Sequence, residues 1–222
     1  MAVIGFISAK GGAGKTTAAV VLACELSKKA PTVLVDADPN LPVADWAEQG
    51  NLPENLTVVA EPDVEKIADC IEDLSGRYPY VIVDCEGRAE LLHLYVASMS
   101  DLVIIPVQGS QLDAMEAAKS MRVVRRADKL QGHTRDLAIV LTKTNPIIRT
   151  KNLTHVCEQF SEQGIAVLDT ELNEREAYRS IFSYGGGLDA LPAKEVANLD
   201  KAQINAKALA DEIANRLSEA EG

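Results

Sequence analysis

One short run near the start of the chain narrows the possible folds more than any other stretch. Ser8-Ala9-Lys10-Gly11-Gly12-Ala13-Gly14-Lys15-Thr16-Thr17 follows directly on an apolar run and opens a helical one. Gly11, Gly12 and Gly14 let consecutive backbone N–H groups turn toward one point, and the helix N-terminus adds its partial positive charge there. The run is therefore expected to wrap a phosphate with the amides from Gly11 through Gly12, Ala13, Gly14, Lys15, Thr16 and Thr17. Lys15 is placed to reach the β- and γ-phosphates, and Thr16 to offer its hydroxyl to Mg²⁺. Such a loop needs a strand ending beside a helix start, which is the geometry of a parallel α/β sheet.

The rest of the chain agrees with that geometry. Short apolar runs predict strands at Ala2–Ser8, Thr32–Asp36, Leu56–Ala60, Tyr80–Asp84, Leu102–Val107, Leu137–Thr142 and Ala166–Leu168. Amphipathic stretches predict helices at Lys15–Lys29, Val64–Gly76, Arg88–Met99, Gln111–Leu130, Lys151–Glu162 and Glu174–Tyr184, with a last one over 199–220. The reading is α/β: one doubly wound domain over residues 1–222, a mostly parallel twisted sheet with helices on both faces. Gly185-Gly186-Gly187 reads as the one flexible point, and the C-terminal helix is expected to pack on the domain through Ile204, Leu209, Ile213 and Leu217.

Composition limits the function classes. With 47% hydrophobic and 25% charged residues the 222-residue chain can fill a core, which excludes disorder as its main state. A net charge of −11 disfavours polyanion binding through overall charge, so nucleic-acid contact requires a local basic patch. Cys24, Cys70, Cys85 and Cys157 show no Cys-x-x-Cys pair, which argues against a zinc knuckle, a disulfide framework or an iron–sulphur cluster. The N-terminus carries no secretory signature, no apolar window is long enough to span a bilayer, and a cytoplasmic protein is expected.

Two acidic strand ends follow the loop in the order that phosphoryl-transfer chemistry requires. Val33-Leu34-Val35-Asp36-Ala37-Asp38-Pro39-Asn40 closes the second strand, and Tyr80-Val81-Ile82-Val83-Asp84 closes the fourth in a Walker B pattern, with Asp84 expected to hold Mg²⁺ through water. Ala9 stands where a strict Walker A loop has Gly, and Lys10 accompanies the change. The form Lys-Gly-Gly-x-Gly-Lys-Thr-Thr resembles the deviant Walker A loop of the ParA/MinD family, and Asp-x-Asp-Pro-Asn resembles that family's switch I. The resemblance implies a P-loop NTPase that uses ATP and Mg²⁺. It implies catalytic roles for Lys15, for Lys10 acting across an ATP-dependent homodimer, and for Asp38 beside the attacking water, with Asp36 behind the metal's ligands. Ser100–Asp113 also resembles the family, with Gly109 where Pro is usual, and the likeness runs over roughly residues 1–190, closest to the short ParA and ParF type.

Other positions carry weaker expectations. Cys85-Glu86-Gly87-Arg88 departs from the usual switch II; Gly87 can hinge there, while Cys85 reads as a small buried filler. Trp46 is expected to pack a helix near switch I. Asn145, in Lys143-Thr144-Asn145-Pro146, falls where the superfamily recognises adenine. Arg122, Arg125, Arg126 and Lys129 recur at helical spacing and form the densest basic cluster, with Arg135 beyond and Lys143, Arg149 and Lys151 as a second group. The resemblance further implies a switch for plasmid or chromosome partition, binding non-specific DNA on the nucleoid in its ATP state and released when a centromere-binding or cargo-adaptor partner stimulates slow hydrolysis. The alternatives are a positioning ATPase for a protein cargo, a helper of conjugative DNA transfer, and, less favoured, a small-molecule ligase of the same superfamily. The Ala-rich, acidic-ended tail disfavours membrane attachment.

Overall fold

In the computed structural model, which describes residues 1–220, seven strands run side by side in the order β3-β2-β4-β1-β5-β6-β7, and β8 pairs with β6; every pairing is parallel. The strands are β1 Ala2–Phe6, β2 Thr32–Ala37, β3 Leu56–Ala60, β4 Tyr80–Cys85, β5 Leu102–Val107, β6 Asp136–Thr144, β7 Ala166–Val167 and β8 Leu172–Asn173. The helices are α1 Lys15–Ser27, α2 Pro42–Glu48, α3 Ile67–Ser75, α4 Glu90–Met99, α5 Gln111–Gln131, α6 Lys151–Glu162, α7 Glu176–Tyr184 and α8 Leu199–Ala220.

Alternate residues of the same strands feed two separate cores, which is why the central strands are apolar without interruption. Ile4, Phe6, Leu34, Ile82, Ile104 and Ala138 face α1, α2, α7 and α8. Val3, Val33, Val35, Val81, Val83, Val103 and Ile105 face α3 to α6. Strand order reverses at β1, whose neighbours are β4 and β5, so the crevice beyond its C-terminal end is the place where this architecture binds ligands. The phosphate loop occupies that crevice.

The expected elements are present with small boundary changes, and α2 and β8 are additions. Helix α2 has only seven residues, too few for a periodic signal; Pro42 opens it and Asp36 caps it, Oδ2 accepting from Val43 N at 2.7 Å and Ala44 N at 2.9 Å.

Two expectations are corrected. Ile204 is 69% exposed: the buried stripe of α8 is Ala202, Ala206, Leu209, Ala210, Ile213 and Leu217, a helical period that leaves Ile204 on the outer face. The three glycines at 185–187 are buried rather than a free hinge. Gly185 has φ 72°, and a Cβ there would lie 2.6 Å from the Gly50 carbonyl oxygen, while Trp46 Nε1 donates to the Gly186 carbonyl at 3.1 Å. Glycine at this point serves close packing against the end of α2.

Candidate functional site

Gly12 and Gly14 take left-handed φ values of 74° and 99°, so the chain curls at the end of β1 before α1 begins. None of the backbone amides from Gly11 to Thr17 donates to a backbone or side-chain acceptor among the described residues. Lys15, at the start of α1, is only 7% exposed, and its ammonium makes no hydrogen bond or close ion pair among the described residues. A largely buried ammonium that makes no hydrogen bond is costly. Free amides at a helix N-terminus, with a lysine among them in sequence, suit an anion of phosphate type.

Asp84, at the end of β4, is fully buried, and neither carboxylate oxygen has a hydrogen-bond partner in ordinary geometry. Burial pushes its pKa up to about 7; the Thr16 hydroxyl and Lys15 pull it down, while Asp36 and Asp38 push it up. A bare acid beside Thr16 fits a divalent cation. Among the described residues no cluster of three or more His, Cys, Asp or Glu side chains gathers for a metal, and a divalent cation held by Thr16 and Asp84 would need further oxygen ligands from outside the protein.

Asp36 lies in register with Asp84 across the β2–β4 pair. Its Oδ1 accepts from Asp38 N at 3.2 Å and its Oδ2 from the two α2 amides, so its contacts are those of an anchor for the switch I segment. Burial still raises its pKa in spite of those three bonds. Asp38 is partly exposed at the rim, where its Oδ1 accepts from the backbone N and Nδ2 of Asn40 at 2.8 and 2.9 Å.

Lys10 points within its own chain: its Nζ lies 2.5 Å from Asp113 Oδ1. Asp113 is itself fixed in a capping box at the start of α5, where Ser110 Oγ accepts from Asp113 N and Asp113 Oδ2 accepts from Ser110 N and Oγ. Burial raises the Asp113 pKa, but Lys10 and Ser110 outweigh it and the net shift is downward. The Ser-x-x-Asp spacing announces the cap in the sequence; the pairing with a lysine 103 positions away has no local signal.

Switch II packs on the phosphate loop. A Cβ on Gly87 would lie 3.3 Å from Gly11 N, which gives that glycine a packing reason as well as its expected hinge role. The Glu86 carbonyl accepts from His93 Nε2 at 2.6 Å, and burial lowers the pKa of that ring. Cys85 is buried and its thiol is held protonated by burial, in keeping with a filler. Gly109 adopts φ 80°, which proline cannot, and this accounts for the glycine at that position.

Asn145 spends its Oδ1 on a turn, accepting from Ile147 N at 2.9 Å and Ile148 N at 3.0 Å. It does not line the cavity of about 230 Å³ that adjoins Gly14 and Thr17, whose walls include Lys143, Asn173, Glu174 and Tyr178.

Among the basic residues, Arg122, Arg125, Arg126 and Lys129 are exposed on α5. Arg126 lies 3.6 Å from Glu90, while the other three have no ion pair among the described residues. Arg135 does not extend this patch: it is buried and bound to Asp128, Gln131 and the Ser98 carbonyl. No helix among the described residues is long and apolar enough to cross a membrane.

Known proteins resemble the chain in sequence and in fold. The profile of the VirC1 protein family matches residues 1–218. The chain is 35% identical to Protein ParA of Rhizobium radiobacter over 99% of both chains. It is 26% identical to the maintenance of carboxysome distribution protein A of Halothiobacillus neapolitanus, covering 83% of this chain and 85% of the other. In fold it resembles the ATP complex of an aspartate-to-alanine variant of Cyanothece McdA, with a TM-score of 0.76 at 15% identity over 96% of each chain. With the deviant loop, both acidic strand ends and the parallel sheet all in place, the chain belongs to the VirC1 family, within the ParA/MinD group of P-loop ATPases.

Proposed function

We propose that this protein is an ATP-driven dimerisation switch for the segregation or positioning of DNA. The observation that carries the reading is the unsatisfied corner formed by buried Lys15, the free amides Gly11–Thr17 and bare Asp84, which lacks what a magnesium nucleoside triphosphate supplies. Thr16 and, through water, Asp84 hold Mg²⁺, which when bound neutralises charge on the phosphate oxygens. Lys15 binds the terminal phosphates. Asp38, at the rim, orients water for attack on the γ-phosphate. Lys10 leaves Asp113 and crosses to the nucleotide of a second copy, so the intrachain pair is the resting arrangement that dimerisation replaces. Slow hydrolysis lets the ATP state persist until a partner protein arrives.

DNA is the proposed track because Arg122, Arg125 and Lys129 lie on the exposed face of α5 without ion pairs among the described residues of an otherwise acidic protein, and a dimer doubles the patch. A nucleoid-associated location follows from that reading. Transport of a protein cargo is the second reading, favoured by the likeness to carboxysome distribution proteins.

Asp38→Ala protein, expected to retain ATP and the dimer without turnover, tests the reading. Its binding to non-specific duplex DNA is measured with ATP, with ADP and without nucleotide at two salt concentrations. Binding that requires ATP and weakens with salt is expected; an intact ATP dimer that ignores DNA would move the function to a protein surface. Hydrolysis by Asp38→Ala at the wild-type rate would remove Asp38 from its role.

A further inference from the structure

The phosphate loop is held from behind by two side chains that converge on one atom. The Gly12 carbonyl oxygen accepts from Gln108 Nε2 at 2.7 Å and from Lys143 Nζ at 2.9 Å. The next carbonyl, that of Ala13, accepts from Thr142 Oγ1 at 2.6 Å. All three donors come from the ends of β5 and β6, across the crevice from the loop's own strand.

Lys143 is aimed there by an irregular backbone. It has φ 53°, a left-handed value uncommon for a residue with a Cβ, and it sits where the β6–β8 pairing shifts register between Thr142 and Thr144. A bulge of this kind re-aims one side chain while its neighbours stay in the sheet. Thr142 and Thr144 are both buried, and Lys143 between them is exposed.

The consequence lies in the orientation of a single peptide unit. Gly12 has φ 74° and no side chain, so the Gly12–Ala13 peptide is free to rotate unless its ends are held. With the Gly12 carbonyl outward, the Ala13 amide turns inward to the anion. Rotation would aim the carbonyl dipole at the phosphates and repel them. We infer that Lys143 and Gln108 are positioning residues for nucleotide binding, which pin the Gly12 carbonyl outward and so keep the amide ring aimed at phosphate. This rests on the nucleotide reading of the loop, and it gives the Lys143 segment a task at the phosphates in place of base recognition.

The test is titration of the full chain with Mg²⁺–ATP and, separately, with inorganic tripolyphosphate, which has no base or sugar. Wild type is compared with Gln108→Leu, Lys143→Met, the double variant and Lys143→Arg. Each single loss is expected to weaken both ligands by roughly tenfold, with Lys143→Arg close to wild type and the ligand-free melting temperature unchanged. The double variant is expected to depart from the product of the two single losses, because both act through one carbonyl. Gln108→Leu removes no charge, so its loss separates pinning from simple attraction of an anion. Losses that multiply as for independent sites, losses confined to ATP, or variants that bind as wild type does would overturn the inference. Wild-type protein that binds neither ligand would overturn the nucleotide reading itself, and the pin with it.

Discussion

The ends of β2 and β4 carry two aspartates side by side, in register and equally buried, in opposite circumstances. Asp36 accepts three backbone hydrogen bonds and fastens α2 to the sheet. Asp84 accepts none in ordinary geometry, and Lys15, whose charge reaches it, makes no hydrogen bond or close ion pair among the described residues. The difference separates structure from function: a satisfied buried acid holds the fold, whereas a bare acid beside a bare lysine waits for a ligand.

The contrast is broken most strongly by removing the Asp84 charge. The Asp84 pKa is about 7 in the folded protein against 3.8 for the free group, so the folded state holds its proton more tightly than the unfolded state does. The contribution of Asp84 to the stability of the nucleotide-free protein is then fully present below about pH 4 and is lost as pH rises through about 7. Asp84→Asn cannot ionise and escapes that decline, becoming more stable than wild type at pH 8 by up to about 4 kcal/mol and little different at pH 4. Urea denaturation at the two pH values in the presence of a chelator measures this; identical pH slopes would sink it. Burial also raises the Asp36 pKa, so part of the slope is expected to persist in the variant.

Asp36→Ala has the opposite sign. It strands three amides and loosens α2, and a loss of about 2 kcal/mol is expected. A neutral result in the same denaturation experiment would mean that α2 does not depend on its cap.

A smaller effect sharpens the comparison at the cradle's outer edge. Asp113→Ala removes one side of the capping box and should cost about 1 kcal/mol. It also releases Lys10, so the variant is expected to dimerise at lower ATP concentration than wild type. Sedimentation across an ATP series reads this, and an unchanged midpoint would show that the resting pair does not oppose assembly.

The smallest expected changes in stability are at the basic face of α5, where Arg125→Ala and Lys129→Ala should stay within about 0.5 kcal/mol of wild type. Each should instead lower the salt slope of DNA binding by about one. An unchanged slope would remove these residues from the DNA surface.

Where a residue acts through its immediate neighbours, the sequence announces it. The glycine spacing before Lys15 and the terminal acids on apolar strands declare the cradle, because loop and strand ends are local. The order of strands and helices follows from the same periodicities. Contacts made across the fold leave no such trace. Lys10 with Asp113, and Gly12 with Lys143, join residues more than a hundred positions apart. Gly185-Gly186-Gly187 is indistinguishable from a hinge until the end of α2 is packed against it. Ile204 looks like core because it is isoleucine, yet the Ala-rich stripe of α8 supplies the closer surface. Asp36 and Asp84 read alike in the sequence, and only the amides around them tell them apart.

The central claim is that the Lys15 corner is left unsatisfied for a nucleotide, and Lys15→Met tests it most directly. The melting temperature of this variant and of wild type is measured without ligand and with Mg²⁺–ATP. The account predicts that Mg²⁺–ATP raises the melting temperature of wild type and leaves that of Lys15→Met at its ligand-free value. A variant that keeps the full ATP-induced shift, or a wild type that shows none, would contradict it.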